Sequence, residues 1–350
     1  MHQQRKSDHI RINLEEKVTS RSVSTGFHRY RLPHCALPDI DLAEVDTSTR
    51  LLGRYLAAPL VISSMTGGTP EAQAINYRLA EAAQAVGIGM ALGSQRAALE
   101  DPALESTYRV RHLAPDSLLL ANLGAVQLNY GWGLDECRRV VDMIEADALI
   151  LHLNPLQEAL QPQGNTNFAG LLSKIEAVCR ALSVPVVVKE VGWGISQQVA
   201  RSLMEAGVAA IDVAGAGGSS WSEVERHRAR TEHEWHVAAA FAAWGLPTAE
   251  SLLMAKEGAP GLPIIASGGI RNGIDIAKAV ALGATACGVA GPFLPAANRS
   301  AAAATGLAAV VVDQLRIAMF AAGAKDVARL RTIPLLLKIE GGHDGRSAEP

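Results

Sequence analysis

The chain has 350 residues and a net charge of −3, with 32 Lys and Arg against 35 Asp and Glu. That length suffices for one large core, and the near-neutral balance supplies no global basic field for nucleic acid or an anionic membrane, so any anion must be held by local groups. The four cysteines, Cys35, Cys137, Cys179 and Cys287, form no CxxC pair, which argues against a zinc site or a disulfide framework.

Residues 1–58 read as an N-terminal extension, basic at first and broken by Pro33 and Pro38. The start runs straight into charge rather than an apolar signal segment, and the expectation is a cytoplasmic protein. Arg5-Lys6-Ser7-Asp8-His9 is the kind of run that commonly stays solvated, though it is also a source of cations. From Pro59 a unit repeats: a short β-branched run, a polar turn, then an amphipathic helical stretch. The runs are Pro59–Ser64, Gly89–Leu92, Leu118–Asn122, Leu149–His152, Pro185–Lys189, Ala210–Val213, Pro263–Ser267 and Ala286–Val289. Helices are expected at Pro70 to Val86, Ser196 to Ala206 and Asp275 to Leu282, each followed by a glycine. Residues 216–236 form a long, charge-dense loop after the sixth run, of the length that serves as a lid or binding loop. Ala301 to Val312 is apolar but short for a membrane span. Eight such units predict a single (β/α)8 TIM barrel over residues 59–340, followed by a disordered tail at 341–350.

Active sites of such barrels lie at the C-terminal ends of the strands, and here those ends are dense in polar groups. Ser267-Gly268-Gly269-Ile270-Arg271 and Ala290-Gly291-Pro292 follow runs seven and eight, where barrels often bind phosphate on backbone N–H groups. Lys189 closes run five and is positioned to hold negative charge, such as that near N1 of a reduced flavin, or to pair with Glu190. Thr66, Ser94 and Asn122 stand at three other strand ends as hydrogen-bonding groups or helix caps. His152-Leu153-Asn154-Pro155-Leu156-Gln157-Glu158 puts an imidazole, two amides and one carboxylate in seven residues. One carboxylate plus phosphate oxygens and water is a common magnesium arrangement, and a helix-capping carboxylate is the alternative. The chain has no GxSxG elbow, no P-loop and no GxGxxG opening the first unit.

Taken together, Arg5-Lys6 with Asp8-His9, Met65-Thr66-Gly67-Gly68, Gly93-Ser94-Gln95-Arg96, Asn122-Leu123-Gly124, His152-Leu153-Asn154, Gln157-Glu158, Val188-Lys189-Glu190, Gly217-Gly218-Ser219-Ser220-Trp221, Ser267-Gly268-Gly269-Ile270-Arg271 and Ala290-Gly291 resemble the type 2 isopentenyl-diphosphate isomerases. The resemblance runs from about residue 5 to residue 292, and one departure is Ser219, where many members carry threonine. It implies FMN across the barrel mouth, held by Met65, Thr66, Gly67, Ser94, Asn122, Lys189 and Ser219, with its phosphate on Gly268, Gly269, Arg271, Ala290 and Gly291. Isopentenyl diphosphate would be bound by Arg5, Lys6, Ser94, Gln95, Arg96 and Gln157. His152 and Gln157 would stand at the reacting end, and Glu158 would bind Mg2+. The resemblance further implies reduced FMN as acid and base, NADPH as reductant, and a homo-oligomer, tetramer or octamer, with no nucleic-acid or membrane partner. The nearest rival is an FMN-dependent oxidoreductase of a small hydroxy acid, which resembles its relatives in a His-x-x-Arg pair. His227-Arg228-Ala229-Arg230 has that spacing, but inside a charge-dense loop it reads as a solvated face.

Overall fold

The computed structural model describes residues 2–20 and 23–337, with side chains from Lys6 onward; the expected tail at 341–350 lies outside the described residues. All eight runs are strands: β1 (Leu60–Ile62), β2 (Gly89–Ala91), β3 (Leu119–Gly124), β4 (Ala148–His152), β5 (Val186–Lys189), β6 (Ala210–Asp212), β7 (Ile264–Ser267) and β8 (Ala286–Val289). They pair in parallel, in sequence order, and β8 closes on β1 in the register Cys287↔Leu60 to Val289↔Ile62. The longest pairing, Leu120↔Ala148 to Gly124↔His152, joins β3 and β4.

Side-chain alternation decides what each strand offers to the barrel axis. Val61, Ala91, Leu120, Ile150, Val187, Ala210, Ile265 and Ala286 form one buried cluster inside the barrel. Leu51 and Leu56 belong to the same cluster, each 1% exposed. They sit on the antiparallel hairpin Thr49–Leu51/Arg54–Leu56, so the N-terminal extension supplies apolar side chains to the barrel interior. Burying two leucines in this way is worth roughly 1.5–3 kcal/mol each. Two residues beyond each inward apolar position the sequence turns polar or small: Ser63, Gly93, Asn122, His152, Lys189, Asp212, Ser267 and Gly288. One layer of the barrel is therefore oil, and the layer above it is the floor of a site.

The outer helices form where their ends are capped. Pro70–Val86 starts at Thr69, whose hydroxyl accepts from the Ala72 N–H at 3.1 Å, and ends at Gly87 in the left-handed region. Gln197–Glu205 starts after Ser196 in the same way. Gly273–Leu282 begins two residues earlier than the apolar pattern suggests, because Asn272 caps it on the Asp275 N–H. A long helix runs from Ala301 to Ala321, past the apolar stretch that ends at Val312. Its polar residues lie on the outer face, where Arg316 pairs with Asp313 at 3.2 Å, so the helix continues through them. By length and composition it is apolar enough to cross a membrane; in the fold it packs on Pro70–Val86 and Gly273–Leu282 through Ala304, Ala308, Val311, Leu315 and Met319.

Two expectations change. The 216–236 segment is largely helical, with Trp221–Arg228 and Glu232–Ala239, the second capped by Thr231 on the Glu234 N–H. The basic N-terminal run is also a helix, His2–Glu15, packed against Trp221–Arg228.

Candidate active site

A cavity of about 470 Å³ opens at the C-terminal ends of the strands, within the range of roughly 300–1,000 Å³ usual for cofactor and ligand sites. Met65, Thr66, Ser94, Asn122, Lys189, Ser219, Gly268, Gly269, Arg271, Ala290 and Gly291 line it, as do Lys6, Arg96, His152, Gln157 and Glu158. Gly67 and Gln95 are not among its lining residues. An added Cβ on Gly67 would lie 1.9 Å from Cε1 of Tyr108, so Gly67 is the place where the β1 turn passes over a buried ring. Gln95 is fully buried; its amide donates to Val140 O at 2.8 Å and its Oε1 accepts from the Asn122 N–H at 3.0 Å. It braces the β2 and β3 ends from behind. The side chain of Arg5 lies outside those described, although the helix carrying it borders the cavity through Lys6, His9, Ile10 and Asn13.

The floor is a coupled set of buried polar groups. Asn122 donates through Nδ2 to Ser64 Oγ at 2.7 Å and accepts through Oδ1 from His152 Nδ1 at 2.8 Å. That arrangement protonates His152 at Nδ1 and leaves Nε2 as an acceptor. Burial, then the cations Lys189 and Lys6, pulls His152 down to about 3, so the ring is neutral at physiological pH. Lys189 donates to the backbone carbonyl of Glu190 at 2.6 Å rather than to its carboxylate. The Glu190 carboxylate instead accepts from the N–H groups of Val191, Gly192 and Trp193 at 2.6–2.7 Å. Burial still pushes Glu190 up to about 7 against those three donors and Lys189. Asp212 is also raised by burial, opposed by Lys189 and by a 2.5 Å bond from Ser267 Oγ.

On the β4 side, Asn154 Nδ2 donates to Gln157 Oε1 at 3.2 Å and to Glu158 Oε1 at 3.0 Å. Glu158 Oε2 accepts from the Asn165 N–H at 2.6 Å. Among the described residues, Ser63 Oγ and Asn154 Oδ1 are buried beside the cavity with no hydrogen-bond partner in the protein. An unmet buried polar atom is costly and implies a ligand group. Ser63 sits on the floor where a flavin's polar edge would lie. Asn154 Oδ1 beside the Glu158 carboxylate gives two hard oxygen donors, which suits Mg2+ completed by phosphate oxygens and water. Among the described residues no group of three or more His, Cys, Asp and Glu side chains is placed to hold a metal unaided.

The outer wall departs from the solvated face expected of it. Glu223, Glu225 and Arg226 are buried, with Arg226 paired to Glu223 and Arg228 to Glu225. His9 reaches Glu225 at 3.4 Å and stacks edge-on against Trp221, ring centroids 4.9 Å apart. The charges are sheltered because the N-terminal helix lies over them. His227 and Arg230, the possible His-x-x-Arg pair, are exposed and outside the cavity lining. The sequence pattern gives no role to Ser63 or Gln127 and names Asn154, His9 and Trp221 only as members of motifs. Ser63 was findable, since it stands two residues after inward Val61.

A closed parallel barrel with a polar floor, a basic rim and glycine loops after β7 and β8 defines a flavin-mononucleotide barrel enzyme. The FMN-dependent dehydrogenase family profile matches residues 2–110 and 152–335. Among solved structures the fold is similar to mandelate oxidase, with a TM-score of 0.67 at 20% identity over 96% of this chain and 99% of that one. A mandelate oxidase variant with an FMN adduct gives 0.64 at 22%, over 90% of each chain. In sequence the chain is 58% identical over 331 residues to an isopentenyl-diphosphate delta-isomerase of Synechocystis sp., covering 95% of both. It is 53% identical to that of Nostoc sp. over 94% of both, and 54% identical to that of Stutzerimonas stutzeri over 95% of this chain and 96% of the relative. The chain belongs to the isopentenyl-diphosphate delta-isomerase family, within the FMN-dependent barrel enzymes, and its cofactor is FMN.

Proposed function

We propose that the cavity interconverts isopentenyl diphosphate and dimethylallyl diphosphate, with Mg2+ on Glu158 and NADPH keeping the flavin reduced, in a cytoplasmic homo-oligomer. The observation carrying this reading is the division of the cavity into a hydrogen-bonded floor that carries Lys189 and a rim bearing Lys6, Arg96 and Glu158. A multiply charged diphosphate suits the rim, through Arg96 and Lys6 directly and through Mg2+ on Glu158 and Asn154 Oδ1. Moving the double bond requires a proton added at one carbon and one removed from another, through a species close to a tertiary carbocation. Reduced FMN, when bound, supplies the acid and base for that exchange. Lys189 offers the one cation on the floor, suited to anionic charge near flavin N1. His152, neutral and fixed by Asn122, presents Nε2 as an acceptor without adding positive charge near a carbocation. Gln157, held through its Oε1 by Asn154, borders the same space with a neutral amide. The helix His2–Glu15 shields the mouth from water, which would otherwise trap a carbocation.

Hydroxy-acid oxidation is the reading to exclude, because it uses the same fold. It needs a cation and a base facing the substrate carboxylate, and His227 and Arg230 do not border the cavity. Incubating the flavoprotein with isopentenyl diphosphate, dithionite or NADPH, and Mg2+ should yield dimethylallyl diphosphate by product analysis. Turnover should cease with EDTA and with the flavin oxidised. Oxidation of lactate or glycolate without isomerisation would refute the assignment.

A further inference from the structure

The loop that follows the short helix Pro155–Leu160 carries a residue that touches both ends of the rim. Asn165 gives its backbone N–H to Glu158 Oε2 at 2.6 Å. Its side-chain Oδ1 accepts twice, from Arg96 Nη1 at 2.9 Å and from Gln127 Nε2 at 3.1 Å. Arg96, Gln127 and Glu158 all border the cavity, and Gln127 is buried. One residue therefore orients the proposed diphosphate cation and the proposed metal carboxylate, through different atoms.

The loop is built to hold that residue still. An added Cβ on Gly164 would stand 1.8 Å from the carbonyl oxygen of Glu158, so the chain passes directly against the helix that carries the carboxylate. Beyond Asn165, Asn129 Nδ2 donates to Asn167 O at 2.8 Å and Ala169 O at 3.0 Å, and the Asn167 N–H donates to Tyr130 Oη at 3.0 Å. Arg96 is fixed along its Nε edge by Glu100 at 2.8 Å, and its guanidinium stands 6.0 Å from the centroid of Trp132. Glu100 alone leaves the guanidinium free to turn about that edge, and a fork donor is effective only when its plane is set. Asn165 sets it from the Nη1 side with a neutral amide. A neutral acceptor orients the cation without cancelling charge intended for an anion.

We infer that Asn165 is a positioning residue for the diphosphate, acting through Arg96, with Gln127 holding the amide in place. The inference rests on the isomerase reading above. Its test is a double-mutant cycle in the FMN-loaded protein with Asn165→Ala and Arg96→Ala, which leaves the Asn165 backbone N–H to Glu158 intact. Kd for inorganic pyrophosphate is measured by calorimetry, alongside KM and kcat for isopentenyl diphosphate, the Mg2+ half-saturation and Tm. Asn165→Ala should raise Kd and KM roughly tenfold, as loss of a hydrogen bond to a charged group does, while kcat and Mg2+ half-saturation move much less. In the Arg96→Ala background the same substitution should add almost nothing. Unchanged pyrophosphate affinity in Asn165→Ala, or full additivity with Arg96→Ala, would overturn the inference. So would a parallel fall in kcat, flavin affinity and Tm, the mark of a merely structural residue. If Arg96→Ala itself leaves pyrophosphate binding intact, or the wild type does not isomerise, the failure belongs to the functional reading instead.

Discussion

Replacing Gly67 with alanine separates two roles the residue could have, since it stands in a motif suggestive of flavin contact yet lies against a ring. The new Cβ would meet Tyr108 at 1.9, 2.4 and 2.8 Å from three ring carbons. Tyr108 is fully buried and donates its hydroxyl to Ser94 O at 2.9 Å, so the ring cannot yield without loosening the β2 end. Overpacking of this kind costs about 1–3 kcal/mol, and the lost hydrogen bond about 1 kcal/mol. Removing a glycine also restricts the unfolded chain, returning about 0.4–1 kcal/mol. The net is about 1–3.6 kcal/mol. With an unfolding entropy of about 2.1 cal/mol/K per residue, a chain of this length has a slope of about 0.7 kcal/mol/K, so Tm should fall by about 1–5 °C. Calorimetry on the holoenzyme reads that fall, and a flavin titration should show weaker FMN binding because Ser94 borders the cavity. Tyr108→Leu supplies the control: it opens space, so the double variant should be more stable than the sum of the singles by more than about 1 kcal/mol. A Gly67→Ala protein with unchanged Tm, or strict additivity with Tyr108→Leu, would refute the steric argument.

The buried titrating groups predict an unusual pH dependence. His152 is depressed to about 3, so below its unfolded value the unfolded chain binds the extra proton and stability falls as pH drops from about 6.5, by up to ~1.4 kcal/mol per unit. Glu190 is raised to about 7, so the native state binds the extra proton and stability falls as pH rises from about 4.5 to 7. The two slopes oppose each other between about 4.5 and 6.5; urea titrations should find wild type nearly flat there and Glu190→Gln gaining stability as pH rises. A Glu190→Gln curve as flat as wild type would contradict the burial of one group or the other. Deleting residues 1–9 should raise KM for isopentenyl diphosphate, since Lys6 and His9 border the cavity, and should also lower Tm, since His9 is the partner of buried Glu225. An unchanged KM would return that helix to a solvated appendage.

Much of the barrel and its floor was legible because both obey short-range rules. Val187 faces inward as an apolar residue, and alternation then points Lys189 into the mouth, two residues on. The same arithmetic delivers Asn122 after Leu120 and His152 after Ile150. It stops short of Gln95, where the chain has left the strand and turns into the helix Arg96–Glu100, with φ −84° and ψ 7°, and the side chain swings toward Val140 of the helix Leu134–Ile144. Motif adjacency gave it to the substrate, whereas chain geometry gives it to the scaffold. Gly67 raises a related point: a glycine marks close approach but not which body approaches, and here Tyr108 is one such body. The outer wall was illegible because its pairing is long-range. Nothing local in His9 or Glu225 announces a partner more than two hundred residues away, and only the pairing turns a charge-dense loop into a buried wall.

That contrast bears on how the site divides its work. On the floor, burial opposes every charge: His152 is kept neutral, Glu190 and Asp212 are pushed toward their neutral forms, and Lys189 is the one cation among them. Such a floor favours a single delocalised anion and is hospitable to a cationic species formed above it. On the rim, Arg96 and Lys6 are partly exposed and meet an anion that arrives from solvent. The buried pairs of Glu225 with His9 and Arg228 belong to neither set. They face the N-terminal helix, and removing one partner would strand the other in a low-dielectric wall. The helix is thus held by a cost of undocking as much as by a gain of contact. That suits a cover over the cavity that its Lys6, His9, Ile10 and Asn13 border.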